Sequence, residues 1–317
     1  MELQKARDFD YTKIAPFVAL AVLIAVSATM SEHFLKPQNL LNVLRQVSFT
    51  GVIALGMTFV IIGGGIDLSV GSAVAFAGAI GLMAMNSVGD GVVAVLAGIG
   101  AAVGVGSACG AFNGILVAKG RVAPFIATLG TMSIFRSLTL HICQAGEVRA
   151  NNALFQKLGA GTFLWVPVPA WAFLILAVLF HILLTKTRFG RYVYAVGANE
   201  TVARYSAIKV GWIKMGTYAL TGLAVAISAI LLSSRLNSIS STGSGQFYEL
   251  DAIAAVVIGG TVMSGGEGTI YGTVVGAIVL GIISNMLNLI GVSTYLQGTV
   301  RGLVIIGAVL LQYKKGD

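Results

Sequence analysis

The stretch KTRFGRYVYAVGANETVARYSAIKVGWIK, residues 186–214, indicates how the chain is organised. It is polar and basic, while long apolar runs lie on both sides of it. Six of the twenty Lys and Arg residues of the chain fall within it. A basic loop between two membrane spans faces the cytoplasm by the positive-inside rule. The stretch therefore predicts a cytoplasmic loop between two membrane spans.

Within this loop the local signals predict a short helix over residues 199–209. Asn199 is a good N-cap, and Glu200 places a negative charge in the first turn, where the helix dipole favours it. Glu200 and Arg204 are spaced i,i+4 and can form an ion pair. Gly197, two residues upstream of the cap, predicts a sharp turn into the helix.

The predicted loop helix has an apolar side. It is formed by Val202, Tyr205 and Ile208, with Ala203 and Ala207 beside them. Two interpretations are open at this point. The loop can serve only to fix the orientation of the chain in the bilayer, or its helix can dock a cytoplasmic partner.

Composition identifies the class of protein. Of the 317 residues, 56% are hydrophobic and only 10% are charged, against about 25% charged in a typical soluble domain. A net charge of +8 would suggest nucleic acid as the partner of a soluble protein. Here the basic residues cluster at the ends of apolar runs, so the lipid bilayer is the expected partner and nucleic acid is not.

About ten apolar runs are long enough, or nearly so, to cross a bilayer, since a spanning helix needs about 20 mostly apolar residues. The chain is therefore predicted to be all-α, a polytopic membrane protein whose residues 1–317 form one transmembrane domain. The predicted spans are 14–30, 47–64, 69–85, 91–118, 122–142, 164–184, 216–234, 251–263, 270–290 and 294–312.

The distribution of basic residues predicts that both termini are cytoplasmic. With ten spans and the N-terminus inside, thirteen of the twenty Lys and Arg residues lie on the cytoplasmic side. These thirteen are the six of the central loop with Lys5, Arg7, Lys13, Lys119, Arg121, Lys314 and Lys315. Five lie on the outer side, namely Lys36, Arg45, Arg149, Lys157 and Arg235.

Two glycine-rich interruptions, IIGGGIDLSVGS (61–72) and VIGGTVMSGGEGTIYG (257–272), separate pairs of spans. The first contains Asp67, and a charge at mid-membrane costs about 2.5–3.5 kcal/mol, so such a residue usually faces a cavity or a partner. Asp67 can cap the helix that starts near Ser69, or it can act with Ser69 and Ser72 on a translocation path or gate. Asn113 and Asn288 are further polar groups on apolar helices that could line such a path.

The sequence contains no catalytic constellation. Its three His residues are far apart, and there is no G-x-S-x-G and no G-x-x-x-x-G-K-[ST] phosphate loop. We therefore expect a chain that is not an enzyme, holds no metal or cofactor, and does not bind ATP by a phosphate loop. A chain of buried carboxylates, as proton-coupled carriers use, is also missing.

Several long motifs resemble the permease subunits of bacterial ABC importers for monosaccharides, the ribose/xylose/arabinose/galactoside group, and most of all the ribose permeases. The motifs are GMTFVIIGGGIDLSVGS (56–72), NGILVAKGRVAPFIATLGT (113–131), TRFGRYVYAVGANETVARYSAIKV (187–210), ELDAIAAVVIGGTVMSGGEGTIYGTVVGAIVLG (249–281) and LNLIGVSTYLQGTVRGLVII (287–306). The resemblance covers nearly the whole chain. It departs from the family at Ala207, where glycine is usual, and is weakest over 143–163.

The resemblance implies an ABC permease fold in the inner membrane and a division of labour. Two copies of the permease form the channel. A separate cytoplasmic ATPase, which uses ATP and Mg²⁺, docks on the loop helix. A periplasmic or lipid-anchored binding protein delivers a monosaccharide, with ribose or a related sugar expected. Arg45 and Arg235, at predicted outer span ends, are candidates for holding that protein.

Other functions remain open at this point. The chain could be a proton-coupled secondary carrier with Asp67 as the titrating group. It could also serve as the same kind of permease for a nucleoside, autoinducer-2 or inositol.

Overall fold

The protein is described by a computed structural model that covers residues 11–313, with the side chains of 11–15, 294–295, 301, 305 and 308–313 left out. Lys5, Arg7, Lys314, Lys315 and the side chain of Lys13 lie outside the described part. The orientation of the two termini therefore stays a prediction.

The described chain is almost entirely helical, as predicted. Its helices are α1 (Tyr11–Met30), α2 (Pro37–Ile62), α3 (Val70–Val88), α4 (Val92–Ala118), α5 (Pro124–Ile142), α6 (Ala153–Ala160), α7 (Val168–Lys186), α8 (Arg188–Ala198), α9 (Glu200–Tyr205), α10 (Val210–Leu236), α11 (Tyr248–Ile258), α12 (Ile270–Leu289) and α13 (Thr294–Tyr313). Two short antiparallel pairs join β1 (Glu147–Arg149) to β4 (Ser238–Ser240) and β2 (Thr162–Phe163) to β3 (Val166–Pro167).

Seven helices within residues 11–313 are long and apolar enough to cross a membrane: α2, α3, α4, α5, α7, α10 and α12. The predicted count of about ten is not confirmed by this criterion. The predicted start of the second span at residue 47 is wrong, because α2 already begins at Pro37, and proline is well suited to the first turn of a helix. The predicted span 251–263 is also wrong in its bounds, since α11 has only 11 residues and ends before Gly259.

The helix α2 lies at the centre of the fold. Every residue from Gly51 to Ile62 is buried, and an apolar helix that is buried on all sides is a core helix. Helix α7, by contrast, exposes aliphatic side chains along one face. Those exposed residues are Leu174, Ile175, Val178, Leu179 and Ile182.

Helices α4 and α10 pack backbone to backbone through glycines. A methyl group built on Gly110 would collide with the carbonyl oxygen of Tyr218, and one on Gly222 would collide with the carbonyl oxygen of Gly106. Small residues of this kind let helices approach closely in lipid, where apolar burial between helices gains little. The high glycine content of the sequence is therefore used, at this contact, for helix packing.

The bundle has two distinguishable ends. The basic end is defined by α8, α9, the turn at residues 63–64 and the turns 119–123 and 259–269. The hairpin end is defined by the β1–β4 and β2–β3 pairs. Helix α3 does not reach the basic end, because the chain turns back into the bundle between Ile62 and Val70.

Candidate functional site

The predicted loop helix is present but shorter than expected. Residues 200–205 form α9, and a second helix, α8, precedes it, so the prediction of one helix over 199–209 is wrong. The chain leaves the helical conformation at Ala207, whose φ of 58° lies in the left-handed region. The predicted N-cap is confirmed, since the side chain of Asn199 accepts a hydrogen bond of 3.0 Å from the backbone N–H of Val202.

Glu200 ties α9 to the start of α10. Its carboxylate pairs with Arg204 on the same helix and with Lys214 on α10, each at 2.5 Å. Hydrogen bonds from Lys214, and then from Arg204, hold the pKa of Glu200 below its usual value. The i,i+4 pair expected from the sequence is therefore formed, and a second cation that sequence spacing does not reveal joins it.

The apolar residues of α9 divide between an inner and an outer side. Ala203 is buried, and Ile208 is half-buried beyond the end of the helix. Val202 is 57% exposed and Tyr205 is 87% exposed. A short helix that projects two large apolar side chains away from its own bundle presents a surface that suits another protein.

Gly197 does not serve the turn that was predicted for it. It lies inside α8, and a methyl group built on it would collide with the carbonyl oxygen of Ile62. The backbone N–H of Gly266 donates a hydrogen bond of 2.8 Å to that same oxygen. Glycine is therefore needed at 197 because the two glycine-rich interruptions meet against α8 at this point.

A cavity of about 610 Å³ opens beside α9. Its walls come from the turn between α4 and α5, with Arg121 and Pro124, and from α9 and the start of α10, with Arg204, Lys209 and Lys214. Four cations and one carboxylate, Glu200, line it, so it can accept a negatively charged group.

Asp67 lies in a buried polar cluster at the first glycine-rich interruption and is 2% exposed. Its carboxylate accepts hydrogen bonds from the backbone N–H of Ser69 at 2.9 Å and the hydroxyl of Ser69 at 2.7 Å. The amide of Asn113 donates to the same carboxylate at 3.3 Å and to Ser69 at 2.7 Å. Three of the residues predicted for a translocation path, Asp67, Ser69 and Asn113, thus contact one another, and Ser72 is also buried one turn further along α3.

The polar cluster does not include Asn288. That residue is exposed near the end of α12, where its side-chain oxygen accepts a hydrogen bond of 2.8 Å from Gln297. A role for any of these five residues in translocation stays a prediction.

Arg45 and Arg235 are close enough to each other to interact electrostatically. The expectation that Arg45 ends a span is wrong, because it lies two turns inside α2 and is half-buried. Among the described residues its Nε has no hydrogen-bond partner. Arg235 is in the last turn of α10 and is also half-buried.

The sequence did not reveal an anchor formed by Arg136 on α5. Its guanidinium donates hydrogen bonds to the backbone carbonyls of Ser241 at 2.8 Å and Ser244 at 3.0 Å. The position of an arginine inside an apolar run was visible in the sequence, but its backbone acceptors were not. Within residues 11–313 no group of three or more His, Cys, Asp or Glu side chains could hold a metal ion.

Comparison with known proteins identifies the family. Residues 39–309 match the family described as the permease component of branched-chain amino acid transport systems. The chain belongs to this permease family. It is 46% identical to the ribose import permease protein RbsC of Bacillus subtilis (strain 168), over 98% of this chain and 97% of that protein.

Further relatives extend the comparison. Identity to RbsC of Escherichia coli (strain K12) is also 46%, over 94% of this chain and 92% of that protein. The D-allose transport system permease protein AlsC of the same organism is 37% identical over 98% of this chain and 95% of that protein. No solved structure matches the chain.

These relationships confirm the resemblance drawn from the sequence motifs. The chain is a transport subunit of the ABC importer permease family and a multi-pass protein of the bacterial inner membrane. Its exposed aliphatic helix faces and its scarcity of charge suit that environment.

Proposed function

We propose that this chain is the membrane-spanning permease of an ATP-driven ribose importer. The observation that carries the proposal is 46% identity to ribose import permeases over nearly the full length of both chains. The lower identity, 37%, to a permease named for D-allose favours ribose over that hexose. The whole chain, residues 1–317, acts as one transmembrane domain.

The proposed topology has ten crossings. To the seven long apolar helices we add α1, α13 and the segment that contains α11, and seven plus three gives ten. The basic end then faces the cytoplasm and the hairpin end faces outward, which agrees with the bias of Lys and Arg. Both termini are cytoplasmic in this arrangement.

ATP and Mg²⁺ belong to a separate cytoplasmic ATPase, and the loop within 186–214 couples that subunit to the permease. The exposed Val202 and Tyr205 form the apolar contact of the coupling surface. Glu200, Arg204 and the capping Asn199 hold the helix in place for docking, with Ala203 and Ile208 packed beneath it.

Two further partners complete the importer. A second copy of the permease forms the other half of the channel, and a periplasmic or lipid-anchored binding protein docks at the hairpin end, where Arg45 and Arg235 contribute positive charge. Asp67, Ser69, Ser72, Asn113 and Asn288 act as a translocation gate. Because the first four are buried, they are better placed to close the path than to line it while it is open.

The coupling assignment is tested by co-purification of the ATPase. Replacement of Val202 and Tyr205 by Glu is expected to abolish recovery of the ATPase with the permease, because charge on the apolar side removes the docking contact. The matched control is Trp165→Glu, since Trp165 is 89% exposed at the hairpin end. Recovery of the ATPase at the unmodified yield with the double variant would reject the assignment.

The substrate assignment is tested in proteoliposomes that contain permease, ATPase and binding protein. Uptake of radiolabelled ribose is expected with ATP inside, and no uptake with a non-hydrolysable analogue. Allose and a nucleoside serve as competitors. Efficient uptake of either competitor, with ribose excluded, would overturn the choice of sugar while leaving the permease role intact.

A further inference from the structure

The exposed face of α5 differs chemically from that of a helix that faces only lipid. On α7 every exposed residue between Phe173 and Leu184 is aliphatic. On α5 the exposed residues include Gly130, Ser133, Ser137 and His141, spaced three or four residues apart, beside the exposed aliphatic residues Ile126, Leu129, Ile134 and Leu138. This spacing places the first four in one stripe along the helix. Polar side chains in membrane spans usually face a neighbouring helix or a water-filled cavity, so this stripe does not suit contact with lipid.

A non-helical segment, residues 241–247, lies beside this stripe at membrane depth. The depth follows from α11, which packs antiparallel to α12. A methyl group built on Gly276 would collide with the carbonyl oxygen of Ala255, and one on Gly272 with that of Gly259. This register puts the start of α11 level with a point 13 residues into α12, about 20 Å from its first residue at 1.5 Å per residue. With the first residue of α12 placed at the membrane surface, the preceding segment lies inside the hydrocarbon core, which is about 30 Å thick.

Arg136 joins the segment to α5. Its two hydrogen bonds to the carbonyls of Ser241 and Ser244 hold the loop against the helix one residue before Ser137. The other side of the loop is anchored by Gly245, whose backbone packs directly on that of Gly71 in the first turn of α3. The loop is therefore fixed between α3 and α5.

The same loop exposes polar groups. Thr242, Gly243, Gln246 and Phe247 are all exposed, and within residues 11–313 no element covers them or the serines of α5. Irregular backbone at membrane depth is tolerated only against protein or beside a water-filled cavity. The polar part of this face, made of the loop backbone and the serines of α5, is therefore unsuited to lipid.

We propose that Ser133, Ser137 and Gln246 line the path of the sugar, on a wall that the second copy of the chain completes. This inference rests on the proposed function and assigns residues to its pathway. A monosaccharide presents hydroxyl groups that both donate and accept hydrogen bonds, and serine hydroxyls and a glutamine amide match both roles. Phe247 adds an apolar surface of the kind found among the polar groups of small-molecule sites. The uncharged lining suits passage without tight retention.

The test uses the complete transporter, with Cys109 and Cys143 replaced by Ala and one new cysteine at Ser137 or Gln246. A small, charged thiol reagent is applied to each variant in the nucleotide-free and ATP-bound states. The matched control is Val178→Cys, since Val178 is 52% exposed on the aliphatic face of α7. We expect reaction about tenfold or more faster at 137 and 246 than at 178, because the thiolate is the reactive form and apolar surroundings keep a thiol protonated.

Nucleotide and sugar give a second readout. The reaction at 137 and 246 is expected to change between the two nucleotide states and to slow when ribose is added with the binding protein. The inference would be overturned if the thiol reagent reacted at 137 and 246 no faster than at 178 in both nucleotide states. That result would mean that lipid or a tightly packed second copy covers the face.

A transport measurement separates this inference from the proposed function. Ser137→Trp is expected to block ribose uptake while the complex still assembles and hydrolyses ATP, and Val178→Trp is expected to leave uptake unchanged. Normal uptake by Ser137→Trp would reject the pathway assignment and leave the ribose importer standing. Absence of ribose uptake by the unmodified complex would instead reject ribose as the substrate. The comparison of thiol reactivity without sugar would still show whether Ser137 and Gln246 face a water-filled path.

Discussion

The hydroxyl of Tyr194 on α8 donates a hydrogen bond of 2.6 Å to the backbone carbonyl of Gly268, in the turn between α11 and α12. One turn further along α8, Gly197 packs against the carbonyl of Ile62, where the other glycine-rich interruption begins. Helix α8 thus contacts both interruptions and leads directly into α9 through Asn199. In the proposed importer, we expect a displacement of α9 by a docked ATPase to be transmitted to both turns through α8.

The Tyr194 contact predicts a coupling defect. Tyr194→Phe removes one hydrogen bond, worth about 0.5–1.5 kcal/mol, without changing the shape of the side chain. We expect normal assembly but fewer ribose molecules transported per ATP hydrolysed, measured in proteoliposomes. Tyr192→Phe is the matched control, because Tyr192 is on the same helix and 40% exposed. An unchanged ratio for Tyr194→Phe would show that this bond plays no part in transmission.

The close approach at Gly197 predicts a loss of stability. Gly197→Ala places a methyl group where the carbonyl of Ile62 lies, and overpacking of this kind costs about 1–3 kcal/mol. We expect a lower thermal unfolding temperature of the purified permease. Gly104→Ala is the control, since nothing lies within 4 Å of the added methyl on α4. It should be neutral or slightly stabilising, because alanine has the higher helix propensity. Equal unfolding temperatures for the two variants would contradict the close contact.

The presence of long apolar helices and the N-cap at Asn199 could be predicted from the sequence, because hydropathy and capping act locally. The end of α9 at Tyr205 could not, since the left-handed turn at Ala207 departs from the glycine usual for such a conformation. The partners of Glu200 show the same limit. Arg204 follows from i,i+4 spacing, whereas Lys214 approaches only because α9 folds back on the start of α10.

The candidate site was less accessible from sequence than the spans. A glycine that packs against a neighbouring backbone and a glycine that permits a turn look alike in a sequence, and the sequence alone therefore does not reveal that Gly197 packs against the carbonyl of Ile62 and the N–H of Gly266. The polar residues of α5 recur at spacings of three and four, and this pattern is visible in the sequence. Its significance depends on that face of the helix being uncovered, which the sequence does not show. The depth of residues 241–247 depends on packing between α11 and α12, and no local pattern encodes it.

Glu200 predicts an acid-sensitive contribution to stability. Because Lys214 and Arg204 lower its pKa in the folded protein, its ion pairs stabilise the fold above the unfolded pKa of about 4.3. That contribution is lost as the pH falls through the lower, folded pKa. We expect Glu200→Gln to unfold at a lower temperature than the unmodified protein at pH 7, with the difference shrinking below pH about 4.

The control for Glu200 is Glu267→Gln. Glu267 is exposed and forms no ion pair within the described part of the chain, so its substitution should change the unfolding temperature little at any pH. A gap between Glu200→Gln and the unmodified protein that persists unchanged to acid pH would mean that the ion pairs are not its cause.

Arg235 predicts a salt-dependent step in binding-protein docking. Charges at the rim of an interface mainly affect the association rate and its dependence on salt. Arg235→Ala should therefore slow association of the binding protein at low ionic strength and have less effect at high ionic strength. The control is Lys186→Ala, which removes a cation in the last turn of α7, at the opposite end of the bundle. Identical association rates for the two variants at low salt would exclude Arg235 from the docking surface.

Asp67 distinguishes an ATP-driven permease from a proton-coupled carrier. Its carboxylate accepts hydrogen bonds from Ser69 and Asn113 in a buried cluster, and neither contact requires it to exchange protons. Asp67→Asn keeps the size and one acceptor oxygen, whereas Asp67→Ala leaves the buried amide of Asn113 with fewer partners, at a cost of about 1–3 kcal/mol. In the ATP-driven importer we expect Asp67→Asn to retain ribose uptake and Asp67→Ala to lower stability more.

The decisive measurement is uptake by Asp67→Asn with ATP present and no pH gradient. If a pH gradient alone drives ribose uptake by the unmodified chain and Asp67→Asn abolishes it, the carboxyl group carries protons and the carrier interpretation replaces the gate.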